Sequence, residues 1–188
     1  ITNETPSGTQ MEEKVTFKSG KNGELTISGA IHLPDDMQTG EKRPAVMVLH
    51  GFGSRKDAAN VTGPTNIFLN WGYVVLRFDM RGCGESDGLF GHLLCLDQVA
   101  DTRAAISFLQ SRPEVDPYRI GLVGSSFGAA VAVYTGGVDD RVAAVISSGG
   151  WGNGERKFRG QHPSPEEWQA FTDMLAEGKK PRDETGEP

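Results

Sequence analysis

Ile120-Gly-Leu-Val-Gly-Ser-Ser-Phe-Gly-Ala-Ala-Val-Ala-Val-Tyr134 decides the reading of this chain. The apolar run Ile120 to Val123 leads directly into Gly124-Ser125-Ser126-Phe127-Gly128, and a run of small, helix-forming residues follows at once. This is G-x-S-x-G between a strand and a helix, the setting of a nucleophile elbow. In so sharp a turn a side chain at Gly124 or Gly128 would strike neighbouring backbone, so both positions ask for glycine. Ser126 is the candidate nucleophile, with its Oγ held clear at the C-terminal edge of a sheet. Gly84-Glu85-Ser86-Asp87-Gly88 has the same spacing. It lies too far past the strand Tyr73 to Phe78, and Leu89-Phe90-Gly91 opens no helix. Ser86 therefore reads as a loop hydroxyl closing a turn.

Around the elbow, apolar runs alternate with helix-forming stretches. Lys14 to Lys18 and Leu25 to Leu33 read as two strands joined around Gly20-Lys-Asn-Gly23. Pro44 to Leu49, Tyr73 to Phe78 (broken only by Arg77), Ile120 to Val123 and Val142 to Ile146 are apolar runs, as in strands buried on both faces. Asp35 to Arg43 is a surface loop. Thr65 to Trp71 reads as a short helix. Leu93 to Arg112 reads as a long one, free of Gly and Pro, and Phe127 to Thr135 as one stopping at Gly136-Gly137. Such alternation implies an α/β fold, a mostly parallel sheet with helices on both faces.

After Ile146 the composition shifts, and residues 1–150 read as the core. Trp151 to Gly160 is glycine-rich and charged. Ser164-Pro165-Glu166-Glu167 offers an N-cap, a proline at the first helical position and a capping-box glutamate. Trp168, Phe171, Met174 and Leu175 follow at helical spacing, and Gly178 is the expected stop. Residues 151–178 are expected to form a cap or lid over the serine. Residues 179–188 read as a polar tail, and residues 1–11 as polar and loose.

At 188 residues, 37% hydrophobic, the chain is long enough for one domain with a sizeable core. No apolar run is long enough for a membrane span. The net charge of −6 comes from interspersed acids and bases, which argues against nucleic acid as a partner. Cys83 and Cys95 are too few for a disulfide framework and read as free thiols, with one bridge left open. No Cys/His cluster has zinc spacing, so neither metal nor cofactor is implied. No signal-peptide pattern follows Ile1, so the expected location is cytoplasmic, with a removed signal left open. Asn3-Glu4-Thr5 and Asn60-Val61-Thr62 match the glycosylation sequon.

A serine hydroxyl needs a base and a pair of donors for the oxyanion it creates. His50-Gly51-Phe52-Gly53 follows the strand ending at Leu49 and faces the same sheet edge as the elbow. The backbone N–H groups of Phe52 and Phe127 are the natural donor pair, with His50, Gly51, Gly124 and Gly128 in support. These segments, with Asp79-Met80-Arg81-Gly82-Cys83-Gly84-Glu85-Ser86, resemble in order and spacing the α/β-hydrolase superfamily. The likeness is greatest to its esterase, dienelactone-hydrolase-like and prolyl-peptidase-like members, and covers roughly Lys14 to Gly150. The resemblance implies Ser126 as nucleophile, Phe52 and Phe127 as oxyanion donors, and Asp79 and Arg81 as braces of nearby loops.

The family places its acid after a seventh strand and its histidine after an eighth, whereas the apolar runs here end with the sixth. The catalytic Asp and His are therefore expected outside this chain, which reads as truncated. Within it, His50 holds backbone, His32 is structural, and His92 and His162 are the remaining candidates for a base. The expected substrate is a small carboxylic ester. The alternatives are a peptidase or acyltransferase on the same fold, or a catalytically incomplete binding or oligomerisation module. The sixth strand would form an open sheet edge, inviting a second polypeptide or self-association.

Overall fold

The computed structural model of the chain describes residues 11–185. The backbone divides into two compact units, one up to Gly150 and one from Trp151. In the first, β1 (Met11–Ser19) and β2 (Leu25–Leu33) form an antiparallel hairpin. There follow β3 (Arg43–Leu49), α1 (Ala59–Asn70), β4 (Val74–Phe78), α2 (Cys95–Ser111), β5 (Val115–Ser125), α3 (Phe127–Val138) and β6 (Val142–Ser148). The six strands make one sheet in the order β1-β2-β4-β3-β5-β6. β2 meets β4 antiparallel, and β4, β3, β5 and β6 run parallel. This is the α/β-hydrolase arrangement that the motifs imply.

The apolar runs of β3, β4 and β5 are buried because helices cover both faces, whereas Val142 to Ile146, expected to be buried alike, lies in the outermost strand β6 and is largely exposed. Val46, Val48 and Val75 pack against Val61 and Leu69 of α1 on one face. On the other, α2 and α3 pack together, and Gly136 brings α3 close over Val145 of β6. Met47, Leu49, Leu76, Phe78, Ile106, Leu109, Ile120 and Leu122 are fully buried between these layers. The centre of the sheet is therefore dry, and its chemistry is confined to the loops at the strand ends.

Other expectations need correction. α1 begins at Ala59, not Thr65, and carries Pro64 inside it. Proline there removes one helical hydrogen bond. The stripe Val61, Thr65 and Leu69, buried at four-residue spacing, holds the helix to the sheet regardless. β5 starts at Val115 because a register shift lets Val115 pair with Arg43 ahead of the apolar run. α3 passes through Gly136-Gly137 to Val138, since Gly136 faces the sheet rather than ending the helix.

The remaining corrections lie in the second unit. The glycine-rich stretch holds a helix, α4 (Gly154–Gln161), capped by Asn153 Oδ1, which accepts the Arg156 N–H at 2.8 Å. α5 (Pro165–Thr185) opens on the expected capping box. The Glu167 N–H donates to Ser164 Oγ and the Ser164 N–H to Glu167 Oε2, both at 3.1 Å. It does not stop at Gly178 but runs through the segment expected as a tail. Phe171 stacks on Phe158 and on His162 and tilts against Trp168, so aromatic packing joins the two helices. Asn3 and residues 186–188 lie outside the described residues. No helix among the described residues is long and apolar enough to cross a membrane.

β6 is the last strand of the sheet. Beside α1 on its face lies an apolar groove of about 290 Å³, lined by Val46, Phe68, Gly121, Val123, Ala144 and Ile146 among others. Ile146 remains 53% exposed there. A second cavity, about 520 Å³, lies under the loop after β2, bordered by Leu33, Met37 and Glu114. It sits at the N-terminal ends of the parallel strands, the opposite edge from Ser126.

Candidate active site

β5 ends at Ser125 and α3 begins at Phe127, leaving Ser126 alone in the turn at φ 54° and ψ −119°. Among the described residues no other non-glycine has a positive φ. Such a conformation is strained and persists only where the surroundings enforce it. Here they do. The Ser126 N–H donates to Ser148 O of β6 at 2.9 Å, and its carbonyl accepts from Ala129 and Ala130 N–H at 3.1 and 3.3 Å. The flanking glycines are sterically required. A Cβ on Gly124 would fall on the Gly128 carbonyl, and one on Gly128 on the carbonyls of Leu49 and His50. The backbone is thus fixed while the Ser126 side chain is exposed to solvent.

The loop after β3 lies against this turn. A Cβ built on Gly51 would stand 3.6 Å from Ser126 Cβ. Gly51 to Ser54 form a tight turn, closed by the Ser54 N–H donating to Gly51 O at 3.2 Å with Gly53 at φ 61°. The Phe52 N–H lies outside that bond. Phe127, the first residue of α3, turns its N–H towards the helix's N-terminal end. The two rings meet edge to face, centroids 5.4 Å apart, with Phe52 62% exposed.

His50 is buried beneath the loop. The Met80 N–H donates to its Nε2 at 3.1 Å, so Nδ1 carries the proton and donates to Gly51 O at 2.8 Å. Burial lowers its pKa, against the opposing pull of the Gly51 bond and the Asp79 charge. The neutral ring spends both nitrogens on backbone, binding the loop after β3 to the end of β4.

The segment after β4 is equally committed. Ser86 Oγ donates to Asp79 O at 2.6 Å and accepts the Ser28 N–H at 2.9 Å. Asp79 accepts Lys56 N–H at 2.6 Å, Lys56 Nζ at 2.7 Å and Glu85 N–H at 3.0 Å. Burial alone would lower the Lys56 pKa, but its hydrogen bonds to Asp79 and Glu85 raise it, so the buried ammonium stays charged. Arg81 pairs with the fully buried Asp101 at 2.7 Å, and Ser19 Oγ donates to the same carboxylate at 2.6 Å.

Among the histidines of the first unit, none hydrogen-bonds Ser126. His32 Nε2 accepts from Arg77 Nε at 2.9 Å, and burial followed by the Arg77 charge lowers its pKa. His92 is half-buried, its Nε2 without a partner. His162 stacks on Phe171 in the second unit. Both cysteines are free, and burial pushes the Cys83 thiol up to about 11. No group of three or more His, Cys, Asp or Glu among the described residues is arranged to hold a metal ion.

One contact has no signature in the sequence. Asn60 Nδ2, in the first turn of α1, donates to Ser125 Oγ at 2.7 Å across a separation of 65 residues.

With this geometry in place, the family assignment is direct. The family model described as X-Pro dipeptidyl-peptidase (S15 family) matches residues 23–187. The chain belongs to this family. It is 36% identical over 105 residues to the quorum-quenching protein AidA of Acinetobacter baumannii, covering 55% of this chain and 34% of that protein. It is 34% identical over 125 residues to the thiohydrolase aneE of Aspergillus aculeatus, covering 65% and 39%. This chain therefore spans less than half the length of these two relatives. The crystal structure of PA2218 from Pseudomonas aeruginosa is similar over 100% of this chain and 60% of that one, with a TM-score of 0.79 and 26% identity. The α/β hydrolase GrgF from a Penicillium species is similar over 94% and 56%, with a TM-score of 0.73 and 25% identity. This S15-family chain is thus an α/β-hydrolase-fold protein with hydrolase relatives.

Proposed function

We propose that this chain carries the nucleophile and oxyanion loop of a serine hydrolase that cleaves carboxylic esters through an acyl-enzyme. The observation that supports this most is Ser126 itself. It is an exposed serine in a strained strand-to-helix turn, and Gly51 of the loop after β3 lies against it. In the proposed reaction Ser126 Oγ attacks the ester carbonyl carbon and its proton passes to a histidine. The negative oxygen of the tetrahedral intermediate lies between the Phe52 and Phe127 N–H groups. The C–O bond breaks, and the alcohol departs with the histidine's proton. Water then releases the acid and regenerates Ser126.

We assign the histidine and its aspartate to other polypeptide: His32 and His50 are committed to other partners, no hydrogen bond joins His92, whose Nε2 is unpartnered, to Ser126, and His162 stacks on Phe171 with its Nδ1 on Phe158 O. The exposed Ile146 groove beside β6 is where we place such a partner, a second polypeptide or another copy. A peptidase reading on the same parts is favoured by the family's description as dipeptidyl-peptidases.

Active-site labelling of the complete protein with a fluorophosphonate tests the assignment. Label is expected on Ser126, lost in Ser126→Ala and retained in Ser86→Ala. The 188-residue chain alone should turn over an aryl ester little above background. Label on Ser86, or full activity in Ser126→Ala, would overturn the assignment.

A further inference from the structure

Resting on the reading of Ser126 as nucleophile, we propose that Asn60 is a positioning residue. Its bond to Ser125 holds the strained turn against the loop after β3. Ser126 is restrained on two sides by main-chain hydrogen bonds, to Ser148 from β6 and from Ala129 and Ala130 in α3. On the third side the loop passes close to the turn, since a Cβ built on Gly51 would stand 3.6 Å from Ser126 Cβ and 3.8 Å from Ser125 O. The polar tie there is Asn60 Nδ2 to Ser125 Oγ, 2.7 Å long.

Two features suit Asn60 to this task. Its neighbour Val61 is fully buried in the cluster with Val46, Val48 and Val75, which fixes the first turn of α1 to the sheet. α1 also follows directly on the loop that carries Phe52. One amide therefore links the helix behind the donor loop to the residue before the nucleophile, and keeps donor and nucleophile in register. An exposed hydrogen bond serving the fold alone would act differently. Its loss would lower overall stability slightly and leave the turn unchanged.

The test compares Asn60→Ala, Ser125→Ala and the double variant of the complete protein. The first readout is amide hydrogen exchange in a peptide covering Leu122 to Ala132, which follows the turn whether or not the protein turns over substrate. Asn60→Ala is expected to speed exchange there about tenfold, the effect of one lost hydrogen bond, with the β1–β2 hairpin unchanged. The second readout is fluorophosphonate labelling of Ser126 with the kinetics of an aryl ester. The labelling rate and kcat should fall about tenfold, with KM within about twofold. The double variant should be no slower than Ser125→Ala, because Asn60 acts through that side chain.

Unchanged exchange at the turn would overturn the proposal, as would additive losses in the double variant. Faster exchange with unchanged labelling would also overturn it, by making the contact purely structural. If the unsubstituted protein takes no label, the nucleophile assignment falls by itself. The exchange comparison still decides whether Asn60 holds the turn.

Discussion

Gly128→Ala sets two effects of opposite sign against each other at one position. Gly128 is the second residue of α3, and within a helix alanine is favoured over glycine by about 1 kcal/mol. On propensity alone the substitution would stabilise. The new methyl, however, would meet the carbonyls of Leu49 and His50. These are main-chain atoms that cannot rotate away. Leu49 is fully buried, and His50 is pinned through both ring nitrogens. Overpacking a rigid site costs about 1–3 kcal/mol, with backbone contacts at the upper end. The net expectation is a loss of about 2 kcal/mol, which lowers Tm by about 4–8 °C in a domain of this size. Gly137→Ala in the same helix is the control, since nothing lies within 4 Å of its Cβ position. It should raise Tm by about 2–4 °C. Thermal unfolding followed by circular dichroism near neutral pH distinguishes the two. Were Gly128→Ala as stable as the parent, α3 would stand further from β3 than described, and the elbow geometry would fall with it.

Phe52→Leu keeps the backbone N–H and should shift preference between small and bulky acyl groups. Loss of an oxyanion donor costs about 3–4 kcal/mol, so a drop of that size towards every ester, with the fold intact, would contradict a backbone role. Burial lowers the pKa of His50 and His32, so unfolding takes up protons below the ordinary histidine value. The two rings' contribution to stability should be constant above about pH 6.5 and fall as pH drops below it, by at most about 1.4 kcal/mol per pH unit for each ring. His50→Gln should flatten that slope below about pH 6.5 in denaturant titrations; an unaltered slope would assign the effect to other groups. The exposed groove beside β6 should make the 188-residue chain self-associate, and Ile146→Lys should weaken this on gel filtration. A concentration-independent monomer would count against that edge as an interface.

The fold was legible wherever side-chain pattern and backbone need coincide. Pro44 to Leu49 is apolar at every position because both faces of β3 are covered, and the two elbow glycines mark where main chains nearly touch. Legibility failed where main chain or distant packing decided the outcome. The early start of β5 rests on pairing of Val115 with Arg43, which leaves no apolar signal. α1 continues through Pro64 because buried Val61 and Leu69 outweigh one lost hydrogen bond. α4 forms in a stretch whose glycines argue for a loop, started by the Asn153 cap. Gly178 reads as a stop, yet it lies in open space within α5.

The candidate site divides in the same way. Its exposed parts, Ser126 and Phe52, announce themselves through short motifs. The groups that hold them in place do not, because their partners are distant in sequence. His50 reaches Met80 across 30 residues, Lys56 reaches Asp79 across 23, and Asn60 reaches Ser125 across 65. The first two join the loops after β3 and β4, and the third joins the first turn of α1 to the end of β5. Ser86 extends the pattern by tying the loop after β4 to Ser28 of β2. Buried polar groups cost free energy unless partnered, and a network satisfied throughout holds one arrangement against its competitors. The loops along the C-terminal edge therefore behave as one platform, built by side chains that take no part in the proposed chemistry. The strain at Ser126 is held directly by its main-chain bonds to Ser148, Ala129 and Ala130 and by the flanking glycines, and the platform fixes the loops around that turn. Gly84-Glu85-Ser86-Asp87-Gly88 has the same spacing, but its serine hydroxyl is one of the platform's own fastenings.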